Sequence, residues 1–351
     1  MAAAMTALLG PNELVRIFSA FGIALAVSLA LMPVAMMIGR RFGLVVVPRL
    51  FAPGGAPVPY VGGKAVALGA LLSFYLVWGS PVGAGSLIAG ALALLLLGFW
   101  DDRSKEWMFV NPVARLLLQM AIAVAGFWSG FGADTGGWLG AIGTVAFLVA
   151  TMNAFNLLDN MDGVGGSTGA AIAAAICLIA MLGGQYMVAS LAAATCGSCI
   201  GFLRFNLRNA RIYLGNGGSL FLGFLLAGLA LQLRPPLDYP ASLLVLPALF
   251  AVPATDTSVV IISRLLNGRR VTEGGVDHLS HRLVRLGFSK VSSALLHAVA
   301  SLAAGGMTAV AVASGSIEVL FAVVAAFALI GVASLRLHMY APAHQAPEAG
   351  S

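Results

Sequence analysis

The chain has 351 residues, of which 60% are hydrophobic and only 9% charged, against about 25% charged in a soluble domain. Together with a mean hydropathy of +0.97, this excludes a disordered protein and a water-soluble enzyme with an ordinary charged surface. The net charge of +6 comes in short bursts between apolar runs of bilayer-spanning length, so the basic balance marks a polytopic membrane protein and not a nucleic-acid binder.

The apolar runs are continuous and do not alternate, so they read as helices and not as barrel strands. The sequence predicts an all-α integral membrane protein with about eleven transmembrane helices, at 15–38, 65–83, 86–100, 114–131, 137–154, 166–183, 185–203, 217–233, 241–263, 291–313 and 317–336. The breaks near Ser80–Gly85 and Gly183–Gln185 are the weakest, which leaves ten or twelve open. The first run exceeds the apolar core of a secretory signal and reads as a span. All of this forms one polytopic domain, residues 1–338, followed by a disordered tail, 339–351. Glycine is abundant, 43 residues, as close packing between membrane helices requires. Cys177, Cys196 and Cys199 lie in apolar runs, where they read as small packing residues and not as a disulfide framework.

An odd number of spans puts the termini on opposite sides. With the N-terminus outside and the C-terminus cytoplasmic, every Lys and Arg except Arg16 and Arg234 falls inside, as the positive-inside rule demands. Most acids follow, leaving the outer face nearly blank and the cytoplasmic face rich in both signs. Chemistry is expected there.

Four loops on that face carry candidate chemistry. The first, Gly98-Phe-Trp-Asp101-Asp102, ends the third span. Paired carboxylates there suit Mg²⁺ binding or attack on an electrophile, or an interfacial pair partnered by Arg103 and Lys105. In the second, Asn153, Asn156, Asp159 and Asp162 recur every three residues. On a helix that spacing makes one polar face, fit for sugar hydroxyls, a nucleobase or a hydrated metal, or else the stretch is a helix C-terminus with a polar loop, which explains Gly163 but not the register. The third, Gly215-Asn216-Gly-Gly-Ser219, opens the eighth span. It reads either as a glycine cradle for phosphate or as a helix start capped by Ser219 or Asn216. The fourth joins Asp256, inside an apolar run, to Arg264 and then Asp277-His278-Leu-Ser-His281-Arg282. Imidazole and guanidinium together suit a pyrophosphate. The same loop also suits anionic headgroups. Carboxylates, amides, a glycine-rich helix start and a His/Arg cluster on one face compose a Mg²⁺–diphosphate site facing a lipid phosphate.

The order of these motifs, with Pro59-Tyr-Val-Gly62-Gly63 before them, resembles the polyprenyl-phosphate N-acetylhexosamine-1-phosphate transferases from about residue 40 to 290. The likeness is greater to the bacterial undecaprenyl-phosphate GlcNAc-1-phosphate branch than to the peptidoglycan-precursor branch, whose His loop has consecutive histidines. The resemblance implies transfer of a HexNAc-1-phosphate, GlcNAc-1-phosphate above all, from a UDP-sugar to undecaprenyl phosphate. UMP is released, and a lipid-linked envelope glycan begins at the bacterial cytoplasmic membrane. It implies Mg²⁺ (or Mn²⁺) as cofactor, held by Asp101, Asp102 and position 216. Asp101, Asp102, Asp159 and Asp162 would be catalytic. Asn153, Asn156, Arg115, Arg264, Asp277, His278, His281 and Arg282 would bind substrates. A homodimer fits the resemblance, and nucleic acid has no place in it. The chain departs from the family at Asn216, where an Asp is usual, and in the loop after the first span, which reads Val46-Val-Pro48-Arg49 and then Ala52-Pro-Gly-Gly, without the usual acid and His. Those departures open a second reading: a catalytically impaired paralogue, or a polyprenyl-phosphate binding or transport protein.

Overall fold

A computed structural model describes residues 11–47, 56–79, 83–104, 111–128, 130, 137–235, 237 and 241–340. Pro48, Arg49, Lys105 and residues 341–351 of the expected tail lie outside the described residues. The helices are α1 (Pro11–Arg41), α2 (Gly62–Trp78), α3 (Gly85–Ser104), α4 (Pro112–Trp128), α5 (Trp138–Leu158), α6 (Val164–Leu182) and α7 (Tyr186–Asn206). They continue with α8 (Gly215–Leu231), α9 (Val245–Leu249), α10 (Ala251–Leu266), α11 (Leu279–Arg285), α12 (Lys290–Ser314) and α13 (Ile317–Tyr340). Among the described residues, seven helices are long and apolar enough to cross a membrane: α1, α3, α5, α6, α7, α12 and α13. The bent pair α9–α10 would make an eighth, and α2, α4 and α8 are shorter apolar helices. The protein is thus an all-α, multi-pass membrane protein.

Two local expectations need correction. The ninth apolar run is not one rod. A 3-10 turn at Ala241–Leu244 leads into α9, and the chain bends by 65° before α10. Pro253, in the first turn of α10, has no N–H for the carbonyl of Leu249, so the helix cannot run through Phe250. Strand structure is also present. Val45–Val46 (β1) pairs antiparallel with Val58–Pro59 (β2) in a two-stranded ribbon. The ribbon brings Pro59-Tyr60 to the start of α2.

Small residues set the packing. Gly69, Gly197 and Gly201 leave no room for a Cβ where α1, α2 and α7 meet. Hydroxyls lock the same seam: Ser28 Oγ donates to the Ser198 carbonyl at 2.8 Å, Ser198 Oγ to that of Val66 at 2.8 Å, and Ser73 Oγ to that of Ala20 at 2.6 Å. With no water between helices, van der Waals contact and such bonds take the place of the hydrophobic effect. Helix α8 is the axis of the bundle. Every residue from Gly217 to Leu231 is buried, against α3, α5, α2 and α6. Cys196 and Cys199 are buried free thiols within α7, in keeping with a packing role.

Candidate active site

The chain alternates direction through the bundle, so the ends of α3, α5 and α7 meet the starts of α2, α4, α6 and α8. Backbone bonds tie this end together: Tyr213 N–H donates to Pro59 O at 2.7 Å, Gly62 N–H to Tyr213 O and Gly63 N–H to Leu214 O, both at 2.9 Å. The glycines of the third motif are used here for contact between backbones. A Cβ on Gly63 would run into the backbone of Gly218, and one on Gly98 into that of Gly217. Gly215 has φ +75° and lies against Tyr60 O and Asp102 Oδ2. This helix start does not resemble a loose phosphate cradle, and neither Ser219 nor Asn216 caps it, since α8 has no side-chain N-cap of its own. Asp102 from α3 does that work: its Oδ2 accepts the Asn216 backbone N–H at 2.8 Å, placing a carboxylate where the helix dipole favours one.

Asn216 is the hub of the polar network. Its Nδ2 donates to Asp101 Oδ2 at 2.6 Å, and its Oδ1 accepts from Asn156 Nδ2 at 3.1 Å. Asn156 also donates to Ser219 Oγ at 2.9 Å. Asp101 is buried, and the same Oδ2 accepts from Arg115 Nη1 of α4 at 2.9 Å. The structure therefore joins Asp101, Asp102, Arg115, Asn156 and Asn216 from four helices. Asn153 is turned elsewhere: its amide donates to Gln119 Oε1 at 2.6 Å and to Val149 O at 2.8 Å, fastening α5 to α4.

The three-residue register holds through Asn156 and then ends with the helix. Asp159 follows the last residue of α5, and Asp162 lies in the turn before Gly163, whose φ of +82° starts the chain into α6. Asp162 Oδ2 accepts the Ala210 N–H at 3.3 Å. Burial holds the Asp159 carboxyl well above the usual carboxylate range, and the charges of Asp102 and Asp162 push it further the same way. Asp102, Asp159 and Asp162 thus share one electrostatic neighbourhood, with the Lys64 ammonium facing it through Asp102.

Such a donor set fits a hard divalent cation. Among the described residues, no three His, Cys, Asp or Glu side chains gather tightly enough to hold an ion by themselves. Mg²⁺ does not need that, because it binds through one or two carboxylates and completes its octahedron with water and substrate phosphate. Asn216 presents an amide N–H, not an oxygen, to Asp101, so of the three residues expected as ligands Asp102 is the one electrostatically coupled to Asp159.

The fourth motif assembles beside this network as a folded loop. Asp256 of α10 is fully buried; its Oδ2 contacts His278 Nδ1 at 2.8 Å and its Oδ1 accepts the Leu279 N–H at 2.7 Å. One carboxylate thus starts α11 and fixes the His278 ring, which leaves Nε2 as the outward nitrogen. The His281 ring lies 5.7 Å from that of His278. Burial, then the neighbouring His278, lowers its pKa to about 4, so it is neutral at pH 7. Arg264 and Asp277 pair with each other at 3.3 Å, and Arg269 reaches the same carboxylate oxygen at 3.3 Å. Arg282 turns toward α13, donating to Asp277 O at 2.9 Å and to Ser334 O at 2.7 Å.

Sequence reasoning missed several residues that build this end. Asn160 ties the two halves: Ser280 Oγ of α11 donates to its Oδ1 at 2.6 Å, while its amide holds the final carbonyls of α5. Asn206 Oδ1 accepts the Gly163 N–H at 2.8 Å. Tyr213 feels the same carboxylates: burial, then Asp162 and Asp159, raise its pKa to about 12. Lys64 Nζ lies 3.6 Å from the centre of the Phe99 ring. An Asn within a run of acids was the available signal for Asn160; nothing in the spacing pointed to Asn206 or Tyr213.

A polytopic bundle that gathers carboxylates, amides and an oriented His at one end is a frame for membrane-enzyme chemistry. Comparison with known proteins narrows the class. The model of glycosyl transferase family 4 matches residues 84–234, which hold the network from Asp101 to Ser219. The chain is 35% identical over 316 residues to a Streptomyces coelicolor protein named as a glycosyltransferase, SCO3672, covering 84% of this chain and 71% of that one. It is 31% identical to a phospho-N-acetylmuramoyl-pentapeptide-transferase of Heliobacterium modesticaldum (72% and 84% covered). It is 27% identical to a probable undecaprenyl-phosphate N-acetylglucosaminyl 1-phosphate transferase of Bacillus subtilis (81% and 82% covered). The chain belongs to glycosyl transferase family 4, and is a sugar-1-phosphate transferase. Identity does not by itself choose between the two branches, since the muramoyl-pentapeptide relative is the more identical of the two while the Bacillus protein covers more of this chain.

Proposed function

We propose that the protein transfers a HexNAc-1-phosphate, GlcNAc-1-phosphate first among candidates, from a UDP-sugar to undecaprenyl phosphate. In this reaction an oxygen of the lipid phosphate attacks the sugar-bearing phosphorus of the donor. The bond from that phosphorus to the bridging oxygen breaks, UMP leaves, and a lipid-linked diphosphate sugar begins an envelope glycan. The observation that carries the reading is the network of Asp101, Asp102, Asn156 and Asn216 beside the electrostatically coupled Asp159 and Asp162. Its makers come from separate helices whose only shared feature is one end of the bundle.

Each group has a role in this scheme. Asp102 activates the acceptor phosphate. Asp101, held by Arg115 and Asn216, positions the ends of α3 and α8. Asn156 orients the donor, and His278, fixed by Asp256, directs Nε2 at the diphosphate or the sugar. Asp102, Asp159 and Asp162 would hold Mg²⁺ (or Mn²⁺), which when bound neutralises diphosphate charge. We read all eleven apolar segments as spans, with the N-terminus outside and the active end at the cytoplasmic face of a bacterial inner membrane. The charge distribution and the gathering of the charged loops at one end support that orientation.

A second reading, a silenced paralogue that holds lipid phosphate or nucleotide without turnover, is favoured by one observation. Where the family usually has an acid, Asn216 donates a hydrogen bond to Asp101. One assay separates the two: transfer of radiolabel from UDP-GlcNAc to undecaprenyl phosphate in detergent, with and without Mg²⁺, for wild type and Asn216→Asp. Metal-dependent labelled lipid from the wild type supports the proposal. Product from Asn216→Asp alone supports the silenced paralogue.

A further inference from the structure

A cavity of about 560 Å³ lies between α10, α11, α12 and α13, outside the carboxylate network. Its wall is apolar, with Val252, Leu283, Leu286, Leu296, Phe327 and Ile330 among its residues. At one end it meets Arg282 and Arg285. Arg282 is 8% exposed, and its Nη2 is buried without a hydrogen-bond partner among the described residues. Its other guanidinium bonds go to the neutral carbonyls of Asp277 and Ser334. Arg285, at the outer edge, likewise donates to a carbonyl, that of Val276, at 2.9 Å. Two guanidiniums at the end of an apolar cavity, hydrogen-bonded in this way to neutral carbonyls, favour an anion there.

The shape says which anion. Leu286, Leu296 and Ile330 stay between 41% and 63% exposed at the rim, on helices that cross the membrane or adjoin it, so the cavity opens sideways toward hydrocarbon. Ala300, its deepest lining residue on α12, lies about 15 Å along that helix from Lys290. Half the thickness of a bilayer's hydrocarbon core is also about 15 Å. We propose that this is a binding site for an anionic glycerophospholipid of the surrounding leaflet. One acyl chain fills the cavity, and the phosphodiester sits against the Arg285 and Arg282 guanidiniums. The occupant would brace α11 against α13 and so hold the loop that carries His278 and His281. This rests on residence in a bilayer and not on the transfer reaction.

The test is native mass spectrometry of the purified full chain in mild detergent, without nucleotide-sugar. The chain is titrated separately with phosphatidylglycerol and with phosphatidylcholine of the same acyl chains. One phosphatidylglycerol per chain is expected, held about tenfold more tightly than phosphatidylcholine. Arg285→Gln should weaken it about fivefold. Ala300→Trp, which fills the cavity, should abolish retention in a protein that still melts cooperatively. Equal retention of the two lipids, or phosphatidylglycerol binding untouched by both substitutions, overturns the proposal. So does displacement of phosphatidylglycerol by an equimolar amount of undecaprenyl phosphate, which would make the cavity part of the acceptor's path. Because no donor is present, failure here leaves the transferase reading standing, and failure of transfer leaves this one.

Discussion

The two charged regions at the active end are built on opposite plans. Around α3, α5 and α8 the carboxylates of Asp102, Asp159 and Asp162 crowd together. Burial, with the charges of Asp102 and Asp162 adding to it, holds the Asp159 carboxyl well above the usual carboxylate range. In the loop around α11 the acids are matched: Asp256 to His278 and to the Leu279 N–H, Asp277 to Arg264 and Arg269. The first region concentrates like charges, and the second pairs its acids. We therefore expect chemistry in the first and positioning in the second, although from sequence both read as sites.

If that contrast is right, isosteric neutralisation in the first region costs turnover and not fold. Asp102→Asn should lower transfer by on the order of a thousandfold, with the melting temperature little changed, because an amide oxygen still accepts the Asn216 N–H. A mutant that kept full activity would end the assignment. The next largest effect should fall on stability. Gly98→Ala drives a methyl into the Gly217 backbone, where neither helix can yield. It should cost about 3 kcal/mol, read as a lowered melting temperature in detergent with proportionate loss of folded protein.

Acid should act on the second region. His281 is 5% exposed and its pKa is lowered from 6.5 to about 4. The unfolded chain takes up a proton below pH 6.5 and the folded chain does not until about pH 4. Stability from this group is thus whole above pH 6.5 and is lost as pH falls through that window, by about 3 kcal/mol. Melting curves between pH 7.5 and 4.5 should show the loss, and His281→Gln should flatten it. An unchanged slope in the variant would show that His281 is not the residue responsible.

How much of this was readable without coordinates depends on what set each feature. Hydrocarbon-length runs announce themselves, so each of the eleven apolar stretches has a helical counterpart, and the Asp101-Asp102 and Asn156 motifs do converge. The bend at Phe250 is a local clash that hydropathy averages away. The glycines at 63, 98, 217 and 218 were legible as glycine but not as pairs, because which backbones touch is a property of the bundle. Arg282 shows the same limit. Its place beside His281 in sequence suggested a shared ligand, but a helix of less than two turns sends adjacent side chains in different directions, and this one reaches α13.

Asn216 lies within the first region. Replacing its amide by a carboxylate adds one more acid to the crowded carboxylates and removes the donor that Asp101 Oδ2 accepts at 2.6 Å. If turnover depends on Mg²⁺, Asn216→Asp should lower the Mg²⁺ concentration for half-maximal transfer about tenfold, while the protein without metal melts at a lower temperature. A rise in that concentration would mean that Asn216 serves the metal site better than an acid does. The matching substitution in the other region predicts almost nothing. Glu273 stands on the surface and pairs only across one turn with Arg269 at 2.9 Å. Exposed pairs of this kind are screened by water and salt, so Glu273→Gln should leave both transfer and melting within measurement error. A clear loss of transfer there would place the His/Arg loop in contact with substrate through its outer edge and undo the division between a region of crowded carboxylates and a region of paired ones.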